Sequence, residues 1–337
     1  MQASDYADLV LAAQEHMNNN TWTDLAHDLQ QYYMMAKLFK RDAVITKSGR
    51  GENFKIRTER SSVARNVGLY DTDQSNVTNL ATEASVPWRM TTNNYSFDTA
   101  EEEMNSGKAR LYDHVKMKRV ACLSEIAEKV EEDGWGKPAD SDNTTDPWGV
   151  LYWIVKNAST GFYGGIPSGF SDVAGVSPTD YSNWRNYTGR YTLVSSDDLL
   201  PLWRQASRYT KFKPPVSTPS IGGDAQYGYY ANYAVISDLE DLMESRNDNL
   251  GRDLNSKKVL FRGVEINDVP FLDADTQNPI YGIDWGVFKA IFLKRMGYQE
   301  HKPKVAPNQR NVIVVHFDLR YNFVCYDRRK NFVLNIA

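Results

Sequence analysis

SGRGENFKIRTERSSVARNVGLYDTDQSNVTNLATEASVPWRMTTNNYSF, residues 48–97, is the stretch on which the fold turns. It has few leucines and many Ser, Thr, Asn and Arg, with glycines at 49, 51 and 68. Phe54-Lys55-Ile56-Arg57-Thr58 alternates apolar and polar side chains as a half-covered strand does. Two strand-like stretches, 53–70 and 82–97, flank a polar turn over Asp71–Asn79. Both faces are too polar to pack as an ordinary sandwich pair. Yet Val63, Val67, Leu69, Tyr70, Val86, Trp88 and Met90 would be wasted in a solvated linker. The pattern predicts an excursion that leaves its own domain and lies on another subunit.

Directly after it, residues 99–133 read TAEEEMNSGKARLYDHVKMKRVACLSEIAEKVEED, the longest helical signal in the chain. Val115, Leu123, Ile126, Ala127 and Val130 supply an apolar stripe, Glu101–Glu103 suit a helix N-terminus, and Gly134 is the expected stop. Gly107 is a candidate break in its first turns. At ~1.5 Å per residue, a helix of about 30 residues is a rod of roughly 45 Å, long for a globular domain and natural for a strut. Upstream, residues 5–17 and 24–40 carry helical spacing, the second through Leu25, Leu29, Tyr32, Tyr33, Ala36 and Phe39, with Thr21 or Thr23 as N-cap.

Downstream the character is mixed. Asp146-Pro147 is a helix start ahead of the apolar run 148–155, and a glycine-rich aromatic loop follows. Residues 195–210 are expected as a helix capped by Ser195 or Ser196 with Asp197 and Asp198 in its first turn. Residues 227–236 read as a strand and 237–249 as a helix capped by Ser237. Strands are expected at 258–266, 312–318, 321–326 and 331–336, with a short apolar segment over 285–292.

Bulk properties narrow the function. The 337 residues carry 39 Lys plus Arg against 43 Asp plus Glu, a net charge of −4. That balance gives no electrostatic reason for tight binding to a nucleic-acid backbone. Cys122 and Cys325 show no paired spacing, so small buried thiols in a reducing compartment are expected rather than a zinc or redox centre. The N-terminus MQASDYADLVLAAQEHMNNN has no basic region and no signal-peptide run, and no segment reaches the ~20 apolar residues of a membrane span. The mean hydropathy of −0.56 predicts a soluble chain. Aromatic residues at 12% suit extensive interfaces or a carbohydrate site.

Candidate chemistry is sparse. The histidines at 16, 27, 114, 301 and 316 show no metal-ligand spacing, and the glycines of TGFYGGIPSGF match neither a phosphate loop nor a dinucleotide fingerprint. Asp268, Asp273, Asp275 and Asp284 could bind a hard cation or serve as a carboxylate pair, but NDVPFLDADTQNPIYGIDWG is a turn-rich string where Asp supports its own backbone. Arg328, Arg329 and Lys330 read as a solvated turn. No catalytic, cofactor or metal site is expected.

Taken together, helical arm, polar excursion, strut helix, aromatic mixed domain and returning strands follow an order that resembles the tailed-phage major capsid protein family with the Hong-Kong-97 fold. Local strings carry the resemblance too: WGVLYWIVKNASTGFYGGIPSGFS from Trp148, YSNWRNYTGRY from Tyr181, FKPPV from Phe212, RNDNLGRDL from Arg246, FLDADTQNPIYGIDWGVFK from Phe271 and LRYNFVCYDRRKNFVL from Leu319. The resemblance implies an α+β, Hong-Kong-97-like capsid fold with N-arm (1–47), E-loop (48–97, an extended β-hairpin), P-domain with a long spine helix plus β-sheet (98–147), A-domain (148–300) and return strands of the P-domain (301–337).

It further implies a structural protein rather than an enzyme, a phage coat protein self-assembling as pentamers and hexamers into an icosahedral shell, with Val67, Tyr70, Trp88 and Met90 at subunit interfaces. Implied partners are further copies of the chain, a separate scaffolding protein, a portal, a decoration protein and enclosed double-stranded DNA held non-specifically. The implied location is the virion, assembled in the host cytoplasm. An encapsulin, which encloses cargo enzymes, is the rival within the fold; a carbohydrate-binding or hydrolysing protein is the rival outside it. Some family members join a Lys and an Asn of different subunits covalently. Lys47 or Lys55 with Asn331 or Asn335 would be the positions here, and no crosslink is carried over.

Overall fold

The computed structural model describes residues 32–38, 45–59, 64–69, 72, 81–98, 108–211, 226–244 and 259–336. They begin with helix α1 (Tyr33–Leu38) and strands β1 (Ile45–Lys47), β2 (Gly51–Arg57), β3 (Ala81–Pro87) and β4 (Arg89–Asp98). Then come α2 (Lys108–Trp135), α3 (Val150–Trp153), β5 (Gly161–Gly164), β6 (Asn186–Tyr191), α4 (Leu199–Tyr209), β7 (Tyr227–Ala231) and α5 (Tyr233–Glu244). The chain closes with β8 (Leu260–Phe261), β9 (Val264–Asp268), β10 (Ile280–Asp284), β11 (Phe288–Leu293), β12 (Tyr298–Glu300), β13 (Lys304–Ala306), β14 (Gln309–Cys325) and β15 (Phe332–Ile336). The architecture is α+β, as expected.

β14 organises the first sheet. Its 17 residues would span about 58 Å at ~3.4 Å each. Ile313, Val315, Phe317, Leu319, Tyr321 and Phe323 are buried, alternating with partly exposed or exposed Val314, His316, Asp318 and Arg320. The sheet runs β1-β11-β14-β12, with β13 and β4 also paired to β14. Along most of its length β4 runs antiparallel to β14, from Asp98 opposite Val312 to Arg89 opposite Tyr321. α2, 28 residues long, packs against β4 and buries Val115, Cys122, Ile126 and Val130 at helical spacing. Arg119 holds helix to sheet through a two-pronged bond to Glu300, 2.7 Å at its shorter arm.

The second sheet, ordered β5-β6-β15-β10-β7-β9-β8, joins the first through a 3-10 turn at Arg328–Lys330. One face packs against α4 and α5 around Trp203, Tyr229, Leu239 and Phe332; the other faces the core shared with α1, α2 and the first sheet, through Tyr230, Tyr281 and Val333. Much of the aromatic excess sits here: Trp135, Trp153, Trp203, Tyr152, Tyr187, Tyr229, Tyr230 and Tyr281 are among the largest fully buried side chains.

Several local expectations are corrected. The helical stretch expected over 99–133 is described from Lys108 and continues through Gly134 to Trp135. The glycine is not a stop because Met34 of α1 lies against it, where an added Cβ would meet Met34 Cγ at 2.5 Å. Residues 82–97 are not one strand: they break at Trp88, the first half pairing with β2 and the second with β14. The segments 312–318 and 321–326 are one strand. Asp146 starts no helix; its carboxylate accepts from Asn143 Nδ2 at 2.8 Å, and α3 begins at Val150. Ser195 accepts from the backbone of Asp198 at 3.1 Å one turn before α4. α5 starts earlier than Ser237 because Asn232 Oδ1 caps it, accepting from Val235 N at 3.2 Å. The expected helix at 5–17 lies outside the described residues.

Candidate assembly site

β2 and β3 form a two-stranded sheet of their own, in register from Gly51 opposite Pro87 to Arg57 opposite Ala81. Burial fades along it. Glu52, Phe54, Ala84 and Val86 are buried at the base, whereas Arg57 and Ala81 at the far end are exposed. At the base Phe54 packs edge-on to Tyr326 with centroids 5.0 Å apart, and Ser85 N donates to Ala174 O at 3.0 Å. Buried Glu52 is paired with Lys47 at 3.1 Å. Beyond the hairpin, residues 64–69 are all exposed, with Val67 at 59% and Leu69 at 86%. A free two-stranded ribbon is marginal in water.

Trp88 and Met90 lie where the hairpin returns to the first sheet. Met90 is exposed; Trp88 is half-buried against its own subunit's core, its Nε1 donating to Gly49 O at 2.9 Å. Tyr70 lies outside the described residues. The structure thus places Val67 and Met90 on the surface and gives Trp88 a partner within the chain. Sequence reading did not select Leu69 as an interface residue, although it is the most exposed large apolar side chain among those described.

α1 is anchored on α2 and the second sheet. Buried Glu131 of α2 accepts from Met34 N and from Trp135 Nε1, both at 3.0 Å, and Tyr33 packs edge-on to Tyr230 with centroids 5.4 Å apart. β1 then adds a parallel edge strand to β11.

The basic triplet is a correction. Arg328 is fully buried rather than solvated, because its guanidinium supplies donors to backbone oxygens that would otherwise be orphaned. It donates to Trp153 O at 2.8 Å, Trp184 O at 2.7 Å and Gly165 O at 2.8 Å, with longer bonds to Gly164 O and Asn186 Oδ1. Burial holds its pKa down to about 10.

The aspartates do not converge. Asp275 pairs with Lys156, Asp273 accepts from Tyr233 N at 2.9 Å, and fully buried Asp284 accepts from Gln226 N and Gly286 N, both at 2.9 Å. Asp268, raised above the usual carboxylate range by burial and then by Asp273, is the one with an aspartate neighbour. Among the described residues no group of three or more His, Cys, Asp or Glu could hold a metal ion. His301 pairs with Asp318 at 2.7 Å, and His316 is exposed on β14. The side chain of His114 and the whole of His16 and His27 lie outside the described residues. Cys122 and Cys325 are free and buried, and burial pushes the Cys122 thiol up to about 11. No described helix is long and apolar enough to cross a membrane. Asn331, just before β15, and Asn335, within it, are both buried.

Comparison with solved structures places the architecture. The capsid asymmetric unit of cyanophage A-1(L) superposes over 96% of this chain and 98% of its own, with a TM-score of 0.60 at 13% identity. The capsid of the Myoviridae phage XM1 does so over 100% and 99%, with a TM-score of 0.57 at 10% identity. This is the Hong-Kong-97 capsid fold. The same fold is found in the SrpI encapsulin complex of Synechococcus elongatus, which covers 96% of this chain and 94% of its own with a TM-score of 0.53 at 12% identity. No family model and no curated protein matches the sequence. At this identity the likeness is one of fold.

Proposed function

We propose that the chain is the major capsid protein of a tailed phage with double-stranded DNA, a non-enzymatic subunit that assembles with copies of itself as pentamers and hexamers into an icosahedral shell around the genome. The observation that supports this most is end-to-end agreement with capsid shell subunits, in a chain whose β2–β3 hairpin exposes its distal half. In this reading residues 1–47 are the N-arm and 48–97 the E-loop, with β4 as its return into the sheet. Residues 98–147 and 301–337 make the P-domain around the spine helix α2, and 148–300 the A-domain.

Val67, Tyr70, Trp88 and Met90 are the proposed interface positions, with Leu69 added by its exposure. Repeated head-to-tail contacts close a ring, and weak contacts to several neighbours add up to cooperative assembly. Scaffolding, portal and decoration proteins are the proposed partners, with assembly in the host cytoplasm and DNA held by enclosure, which suits a net charge of −4. The likeness to an encapsulin supports a second reading, a shell around cargo protein.

Negative-stain electron microscopy of the purified protein, alone and with phage lysate components, tests the reading. Uniform shells or capsomer rings support it; a persistent small species in both preparations rejects it. Nuclease-protected DNA inside native particles supports the phage coat, whereas co-purifying cargo protein without DNA favours the encapsulin.

A further inference from the structure

β8 and β9 are joined by a two-residue turn, Arg262-Gly263, with Phe261 opposite Val264. Both turn residues have left-handed backbones, with φ of 53° at Arg262 and 80° at Gly263. Such a turn favours Asn or Gly at its first position, because a larger side chain is strained there. Arginine stands there instead, and its guanidinium reaches across to α4, where it donates to Ser207 Oγ at 3.3 Å. Lys211, one helical turn beyond Ser207 and just past the C-cap Thr210, comes to the same place, its ammonium 4.5 Å from the centroid of the Tyr227 ring. Both cations are exposed, and neither has an ion-pair partner among the described residues. Burial first, and then the Arg262 guanidinium, holds Lys211 below the usual lysine range.

Hydroxyls line the floor between them. Ser207 is buried and donates to Arg204 O at 3.3 Å, and fully buried Tyr229 brings its own hydroxyl beside Ser207. The acid whose charge reaches Lys211 is Asp284, which is opposite Tyr227 in the strand register and fully buried. Its Oδ1 is taken by Gln226 N and Gly286 N, and its Oδ2 has no hydrogen-bond partner among the described residues. One cation just past a helix C-terminus complements the negative end of the helix dipole. The dipole does not call for a second cation, carried there on a strained turn. Like charges held together are eased by an anion between them, and strained backbone gathers at binding sites.

We propose that Arg262 and Lys211, with the Ser207 and Tyr229 hydroxyls, form an anion site at the end of α4 that takes a phosphate group, free or as a phosphodiester of nucleic acid. A guanidinium fork engages two oxygens of a tetrahedral oxyanion, and an ammonium meets a third as a point charge. A bound phosphate ties the β8–β9 turn to the end of α4.

Thermal melting of the full-length dissociated subunit, in inorganic phosphate against sodium chloride at matched ionic strength, tests the site. About 20 mM phosphate is expected to raise the melting temperature by at least about 2 °C more than chloride does. Arg262→Gly removes the guanidinium and suits the left-handed backbone, so it is expected to melt no lower than the wild type in chloride while losing the phosphate response. Lys211→Gln is expected to lose most of that response. Fluorescence anisotropy of a short DNA duplex separates the two sources. Duplex affinity that weakens in Arg262→Gly, with a salt slope smaller by about 1, assigns the site to the phosphodiester when inorganic phosphate has no effect. A response to inorganic phosphate with duplex affinity unchanged assigns it to the free ion. No Arg262-dependent response to either probe overturns the site. A Lys211→Gln subunit that melts well below the wild type in chloride yet keeps the phosphate response also overturns it, because Lys211 then serves as the counter-ion of Asp284.

Discussion

Asn322 Nδ2 donates to the carbonyl of Pro87 at 2.7 Å, joining residues 235 positions apart at the point where the β2–β3 hairpin returns to the first sheet. The same side chain accepts through Oδ1 from Trp148 N and Phe323 N, both at 2.8 Å. One buried amide therefore ties the hairpin root, the segment before α3 and β14 together. Asn322→Ala orphans these backbone groups at a cost of about 1–3 kcal/mol each where water cannot replace the amide. Urea unfolding of dissociated subunits is expected to show a loss of at least about 2 kcal/mol, and a loss below about 0.5 kcal/mol would mean the root is held elsewhere.

Gly134 poses a conflict of signs. In a helix, Gly→Ala ordinarily gains about 1 kcal/mol. Here the new Cβ would meet Met34 Cγ at 2.5 Å and Cβ at 3.2 Å, and overpacking costs about 1–3 kcal/mol. Gly134→Ala is therefore expected to destabilise the subunit and loosen α1 from α2, read by limited proteolysis of the arm. In a double-mutant cycle, Met34→Ala with Gly134→Ala should cost clearly less than the two single losses added.

The exposed end of the hairpin and its root should behave differently. Val67→Ser with Leu69→Ser removes apolar surface that the subunit leaves in water, so the subunit's melting curve is expected to stay put while shell yield falls. Trp88→Ala also removes the Nε1 bond to Gly49 O and packing on its own core, and is expected to weaken shells while the subunit remains folded with a modest loss of stability. Full shell yield from the Val67 and Leu69 variant would remove the hairpin tip from the interface.

The two parts of the fold were unequally legible in the sequence. The strut helix was visible because Val115, Ile126 and Val130 repeat at helical spacing, and the excursion because polar strands carried apolar residues with nowhere local to go. Asn322 and Arg328 were not. Each is a polar residue whose role depends on backbone groups more than 140 positions away, Trp148 for the asparagine and Trp184 for the arginine. Only the oddity of Asn322 between Tyr321 and Phe323 signalled it. The split at Trp88 was hidden because both halves of 82–97 alternate alike, and strand pairing rather than pattern assigns them to different sheets. The aromatic composition suggested interfaces or sugar binding, whereas the buried Trp and Tyr side chains fill the two cores.

Tyrosines wholly or partly removed from water set the alkaline limit. Burial first, then Asp268, pushes Tyr33 up to about 12, and burial first, then Tyr209, pushes Tyr187 up to about 12. A phenol whose folded pKa lies above its unfolded value of about 10 contributes stability that is fully present below pH ~10 and is lost as pH rises through the folded value. The subunit is thus expected to unfold cooperatively between about pH 10 and 12. Tyrosinate absorbance from the buried rings should rise together with the loss of circular dichroism; full ionisation ahead of unfolding would show that these rings are open to water.

Arg328 sits where charge burial and hydrogen bonding oppose each other. Desolvation depresses its pKa to about 10, so the cation is retained at neutral pH at an electrostatic cost, which the bonds to Trp153, Trp184, Gly164 and Gly165 oxygens offset. Those acceptors are arranged for a planar fork. A lysine presents a point charge with three donors, so Arg328→Lys keeps the buried charge and strands part of the cage. Each carbonyl left without a donor costs about 1–3 kcal/mol, so the expected loss is at least about 2 kcal/mol. Because the folded pKa, though lowered, is still about 10, the group stays protonated in both folded and unfolded states below pH ~9, so the arginine adds no slope to stability between about pH 5 and 9. Denaturant melts of the soluble fraction across that range check both statements. Wild-type stability in Arg328→Lys would show that the charge, rather than the shape of its donors, holds the two sheets together.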